Sequence, residues 1–137
     1  MREVLRPLRK LLSACSSDEN VESVVLFGSR ARGDYTVFSD YDVLIVVSKS
    51  DERFIDRPLK YACLVEGAVD LFVYTTREVE EMFEQGNPLI LDALQQGIAL
   101  FDRGFWSELR AKFEERLRRG DIKPVKLGWE VRRSKRP

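Results

Sequence analysis

Along the first fifteen residues the apolar positions fall at Val4, Leu5, Leu8, Leu11, Leu12 and Cys15. They recur every three or four residues, which predicts an amphipathic helix. Residues 16–20 are polar and turn-like. Val21–Phe27 is rich in β-branched residues and stops at Gly28, as a strand would. Residues 29–33 predict a short helix or turn. Residues 41–47 predict a second strand, apolar on both faces from Val43 onward and therefore buried on both.

Arg57-Pro58 predicts the first turn of a helix with Leu59, Ala62 and Cys63 on one face, while residues 61–65 alone also read as a strand. Residues 68–75 predict a strand. Thr76 is expected to cap a helix over 77–85 that stops at Gly86. Asn87-Pro88 opens another helix to Gln96, ended by Gly97, and residues 98–101 predict a short strand. Phe105, Leu109, Phe113 and Leu117, each four apart, predict a last helix over 105–119. The order predicts an α/β (α+β) domain, a small mixed β-sheet flanked by helices.

Length fits one such domain, since the chain has 137 residues and is 44% hydrophobic. Lysine plus arginine and aspartate plus glutamate balance at 23 each, so net charge points to no partner. The distribution is uneven. From Arg116 to Pro137 there are nine basic residues against Asp121 and Glu130. This divides the chain into a domain over 1–119 and a basic C-terminal tail over 120–137. Val125, Leu127 and Trp129 interrupt the tail's charges. Three readings stay open for it: docking on a partner, a solvated disordered end, and RNA contact.

There is no histidine, which excludes His-based catalytic pairs and histidine zinc ligands. Cys15 and Cys63 form no disulfide framework. The first ten residues lack the apolar core of a signal peptide, and the longest wholly apolar run, 43–47, is too short to cross a bilayer. A cytoplasmic setting without membrane contact is expected.

Three polar features stand where the pattern places strand ends. Gly28-Ser29 closes the first strand. Glycine allows close backbone approach to a phosphate, and Ser29 adds a hydroxyl and an N–H, although Gly-Ser is also a common turn. Asp40-Tyr41-Asp42 begins the second strand. Alternate residues share a face there, so Asp40 and Asp42 would point the same way. Their repulsion would be relieved by a hard divalent cation, unless both acids simply face solvent. Asp70 heads the third strand. It joins the same cluster if that strand lies beside Asp42, and is otherwise an ordinary polar strand end.

Ten residues, 30–39, separate Gly28-Ser29 from Asp40-Tyr41-Asp42. That arrangement resembles the signature of the polymerase-beta-like nucleotidyltransferase superfamily. Gly28-Ser29-Arg30-Ala31-Arg32-Gly33 followed by Ser39-Asp40-Tyr41-Asp42 resembles its minimal nucleotidyltransferase (MNT) branch. The resemblance runs on through Asp70 and Asn87-Pro88-Leu89-Ile90, covering about residues 1–119. It implies the polymerase-beta-like fold and metal-dependent transfer of AMP from ATP to a hydroxyl. By the same resemblance Gly28 and Ser29 would hold phosphates, Asp40 and Asp42 would ligate two Mg²⁺ ions, and Asp70 would bind the catalytic one and accept the acceptor's proton. Arg30 and Arg32 would either neutralise phosphate or shape the loop by pairing with an acid.

Members resembling this chain are typically paired with a helical HEPN toxin, which they neutralise by adding AMP to a tyrosine, by binding, or by both. The resemblance thus implies an antitoxin acting by AMPylation on a HEPN partner. The alternatives are a non-catalytic antitoxin that only binds, and transfer to a small molecule or RNA.

Overall fold

The computed structural model describes residues 5–36 and 40–132. A 3₁₀ turn, Arg6–Leu8, leads into α1, Arg9–Ser16, and then β1, Val21–Phe27. The short α2, Ser29–Arg32, precedes β2, Tyr41–Val47. Two 3₁₀ segments, Phe54–Lys60 and Ala62–Leu64, lead to β3, Val69–Thr75. Next come α3, Thr76–Glu84, α4, Pro88–Gln96, and β4, Ile98–Asp102. The chain continues with α5, Phe105–Arg119, and the strands β5, Ile122–Val125, and β6, Gly128–Val131.

The main sheet has the order β3-β2-β1-β4. β1 runs antiparallel to both β2 and β4, whereas β2 and β3 are parallel, so the sheet is mixed as the pattern predicts. Alternation along β1 and β2 explains why both are buried on both faces. Val25, Phe27, Leu44 and Val46 face α3, α4 and α5, packing with Phe83, Leu94, Trp106 and Phe113. Val24, Leu26, Val43 and Ile45 face the other way, onto Leu8, Leu11 and Cys15 of the N-terminal helical segment. Burial also pushes the Cys15 thiol up to about 11, which keeps it protonated and unreactive.

The 57–65 stretch is neither a regular helix nor a strand. Pro58 lies inside the first 3₁₀ segment, where it withholds an N–H and breaks the repeat. Arg57 anchors that segment although only 8% exposed. Its guanidinium donates to Glu78 Oε1 at 2.7 Å, to Val73 O at 3.2 Å and to Glu52 O at 3.1 Å. Glu78 also accepts from the Thr75 N–H at 2.8 Å, while its own N–H donates to Thr75 Oγ1 at 3.2 Å. Thr75 rather than Thr76 therefore caps α3, because the Thr-x-x-Glu spacing of a capping box starts there.

Burial would raise the Glu78 carboxyl, but Arg57 and Thr75 outweigh it and hold the group below its ordinary value. Asp102 behaves alike. Burial opposes its charge, and hydrogen bonds from Ser23, Gly104, Trp106 and Ser107 overcome that penalty. A carboxyl lowered on folding stabilises the protein above its unfolded value, and the contribution is lost as pH falls through the folded value. The melting temperature is therefore expected to hold near neutrality and to drop in acid, below about pH 4. Glu78→Gln and Asp102→Asn should each lower the neutral plateau and flatten that acid limb. An unchanged limb in thermal melts across pH would refute this assignment.

Residues from Ile122 to Val131 also depart from the expected tail. β5 and β6 pair as an antiparallel hairpin, and Ile122, Trp129 and Val131 pack on the core formed with α4 and α5. The described part of the segment beyond Gly120 is thus folded onto the domain.

Candidate active site

Three chain segments meet at the end of the sheet where β2 and β3 begin. Asp42 pairs in register with Asp70 on β3 and with Phe27 on β1. Register partners on neighbouring strands share a face, so the two carboxylates stand next to each other. Their face is that of Phe27, Leu44 and Phe72, whose apolar side chains floor the site.

Gly28 turns the chain at the end of β1 with φ 75° and ψ −158°, a conformation essentially reserved for glycine. The Asp42 carboxylate lies directly against it, for a Cβ on Gly28 would come within 2.3 Å of Asp42 Oδ2. Gly28 O then accepts from the N–H groups of Ala31 and Arg32, which winds α2 beside the carboxylate. The glycine is needed both for its backbone angles and for the space it leaves. Gly28→Ala is expected to lower stability by about 1–3 kcal/mol and to displace the Asp42 carboxylate. Thermal melts and a nucleotide-transfer assay would check this, and a variant unchanged in both would refute the close packing.

Burial raises the Asp42 carboxyl above its ordinary value. Asp70 and then Asp40 raise it further, and only the positive charge of Arg32 opposes them. No lysine or arginine among the described residues forms an ion pair with any of the three acids. Asp40 is exposed, one residue before β2. Among the described residues no three His, Cys, Asp or Glu side chains converge closely enough to enclose an ion by themselves. The structure therefore brings Asp42 and Asp70 together beside Gly28, with Asp40 at the rim.

The two arginines differ. Arg32 is about two-fifths exposed, pairs with Asp34 at 3.2 Å and extends its field to Asp42. The Arg30 guanidinium carbon lies over the rings of Tyr35 and Tyr41, 4.4 Å from each centroid. Each such face contributes about 0.5–2 kcal/mol, depending on desolvation. Sequence reasoning missed this arrangement, although tyrosines on both sides of a loop that starts with arginine were a visible signal. A cavity of about 350 Å³, lined by residues including Asn20, Lys49, Arg57 and Tyr61, lies at the opposite end of β2, away from the carboxylates.

Residues 8–128 match the nucleotidyltransferase domain family. The chain belongs to that family. Two relatives carry the names "Putative protein adenylyltransferase" and "putative nucleotidyltransferase". The first, from Methanocaldococcus jannaschii, is 25% identical over 131 residues, spanning 90% of this chain and 88% of its own. The second, a Sulfolobus solfataricus structure, is 27% identical with a TM-score of 0.51, over 74% of this chain and 86% of its own. The fold is also that of the MNT antitoxin complex with tri-AMPylated Shewanella oneidensis HEPN toxin. There the identity is 17% and the TM-score 0.50, over 88% of this chain and 90% of the other. This nucleotidyltransferase thus has the mixed α/β architecture of its polymerase-beta-like neighbours, and a nucleotide is its substrate. Among the described residues it has no helix long and apolar enough to cross a membrane.

Proposed function

We propose that this nucleotidyltransferase is a protein adenylyltransferase that moves AMP from ATP onto a tyrosine hydroxyl of a HEPN toxin, acting as its MNT antitoxin. The observation that carries the reading is the Asp42–Asp70 pair packed against Gly28. Two adjacent carboxylates, one half-buried and resisting ionisation, suit a hard divalent cation. The bare Gly28 backbone lets the Asp42 carboxylate lie directly against the turn that starts α2.

Asp40, Asp42 and Asp70 are the residues that would hold Mg²⁺, two ions in the full arrangement, with phosphate oxygens completing the ligand set. When bound, the metal supplies neutralisation of the triphosphate and a lower barrier to loss of the acceptor's proton. The chain's own part is positioning. Gly28 and Ser29 hold the phosphates at the start of α2, and Arg32 adds positive charge beside them. The tyrosine oxygen attacks the α-phosphorus, the bond to the bridging oxygen breaks, and pyrophosphate leaves. Asp70 accepts the phenolic proton, whose ordinary pKa of about 10 otherwise makes tyrosine a poor nucleophile at neutral pH.

A HEPN acceptor is supported by the AMPylated HEPN toxin bound to an MNT antitoxin in a neighbour that shares the fold. The deciding experiment incubates candidate HEPN partners with this protein, Mg²⁺ and each nucleoside triphosphate, followed by intact-mass analysis. Gain of one or more AMP units, abolished by Asp40→Ala, is the expected result. A partner inhibited on mixing without any mass gain would overturn catalysis and leave an antitoxin that acts by binding.

A further inference from the structure

We infer that Arg30 is a positioning residue, locked to the faces of Tyr35 and Tyr41, and that Arg32 is the arginine that meets the nucleotide's phosphates. The inference rests on the adenylyltransferase reading and divides the labour of the two arginines in Gly28-Ser29-Arg30-Ala31-Arg32-Gly33.

The geometry separates them. The Arg30 guanidinium is within 4.4 Å of two tyrosine centroids, so its planar faces are committed to rings. Those rings belong to two different segments. Tyr35 is on the stretch that follows α2, and Tyr41 is the first residue of β2. Arg30 itself is one residue beyond Ser29. One side chain thereby ties the phosphate-side turn, the stretch after it and the head of β2 together. Tyr41 stands between Asp40 and Asp42, is 7% exposed, and belongs to the core shared with Val43 and Ile45. A group that fixes the Tyr41 ring fixes the backbone from which both acids project.

Arg32 has the opposite character. It is partly exposed, it forms an ion pair with the exposed Asp34, and its charge acts on Asp42. Exchanging Asp34 for a phosphate oxygen needs only a side-chain rotation. Freeing Arg30 would break two ring contacts.

The test compares Arg30→Gln, Arg30→Lys, Arg32→Gln, Tyr35→Leu and Tyr35→Phe, with thermal melts to confirm folding. Two readouts are taken: ATP KM against kcat for AMP transfer, and calorimetric titration of Mn²⁺ into the nucleotide-free protein. Arg30→Gln and Tyr35→Leu should each lower kcat about tenfold with KM for ATP little changed, because misplaced carboxylates weaken chemistry more than nucleotide capture. Both should weaken Mn²⁺ binding alike, and the double variant should be no worse than either single one. Tyr35→Phe keeps the ring and should restore both readouts. Arg30→Lys should stay impaired, since an ammonium does not replace a stacked guanidinium. Arg32→Gln should instead raise KM for ATP at least fivefold, on the order of one lost charged contact.

An Arg30→Gln variant that raises KM as Arg32→Gln does, with Tyr35→Leu silent, would overturn the inference and place Arg30 on the phosphates. If the wild-type protein transfers no AMP, the adenylyltransferase reading fails. The Mn²⁺ titrations then judge the Arg30 clamp alone, and it falls if Arg30→Gln and Tyr35→Leu bind the ion as the wild type does.

Discussion

Asp42→Asn is expected to reduce AMP transfer by about 100-fold or more while raising the melting temperature of the metal-free protein. Both effects come from one geometry. The carboxylate is half-buried against Gly28 and stands beside Asp70, so without a cation its charge is a liability. A folded-state carboxyl raised above its unfolded value loses stability as pH climbs through the interval between the two, and the loss persists at neutral pH. Asparagine keeps the shape and removes that charge. The same charge is what a metal-bound triphosphate needs, so the substitution that relaxes the apo domain should disable it. Melts with and without Mg²⁺ and ATP would show the split: the wild type is stabilised by the pair, and the variant is not. Wild-type transfer, or equal stabilisation of the variant, would remove Asp42 from the mechanism.

That liability is legible in the sequence. Two aspartates two apart at the head of a strand apolar on both faces are costly unless something uses them, and the family resemblance carried by the ten-residue spacing from Gly28-Ser29 implied a use. β1 and β2 were readable because burial on both faces leaves an uninterrupted apolar run, with Gly28 to end the first. α4 and α5 were readable from Asn87-Pro88 and from the four-residue repeat of Phe105 to Leu117. The parallel neighbour of β2 was the conditional step, and the register of Asp42 with Asp70 meets it.

Other features depend on pairings that sequence spacing does not encode. Arg57 is buried because Glu78, Val73 and Glu52 reach it from separate elements, and a lone Arg-Pro dipeptide carries no sign of that. The joint hold of Tyr35 and Tyr41 on Arg30 needs the stretch after α2 to lie back over α2. The α3 cap was displaced by one residue because two threonines adjoin, and the partner Glu78 chooses between them.

Removal of the C-terminal hairpin is expected to destabilise the whole domain. Sequence spacing suggests otherwise: the apolar repeat of α5 ends at Leu117, Gly120 follows, and basic residues then dominate. No Asn-Gly or Asp-Gly marks a turn, since Lys126-Leu127 joins the strands and Gly128, at φ 144°, takes the unusual backbone angle. Yet Ile122 is 2% exposed, and the Trp129 ring meets Phe113 edge-on at 5.7 Å. Trp129 Nε1 donates to Asp92 at 2.7 Å, and Val131 closes over Gly86, where a Cβ would come within 2.8 Å of it. Arg132 N donates to Asp121 O, which ties the end of β6 to the start of β5. These contacts bridge the turn between α3 and α4 to α5, so the hairpin fastens the helical layer that covers the sheet. Trp129→Ala should cost about 2 kcal/mol, below the range for a fully buried aromatic because this ring is partly exposed. That corresponds to a fall of roughly 6–10 °C in melting temperature for a domain of this size. Truncation after Gly120 should lower it further and expose Phe113 and the α4 face to solvent. Melts of the two variants beside the intact chain decide the matter. If truncation leaves the melting temperature unchanged, the hairpin contributes nothing to the core, and the domain ends at Arg119 as charge and periodicity alone imply.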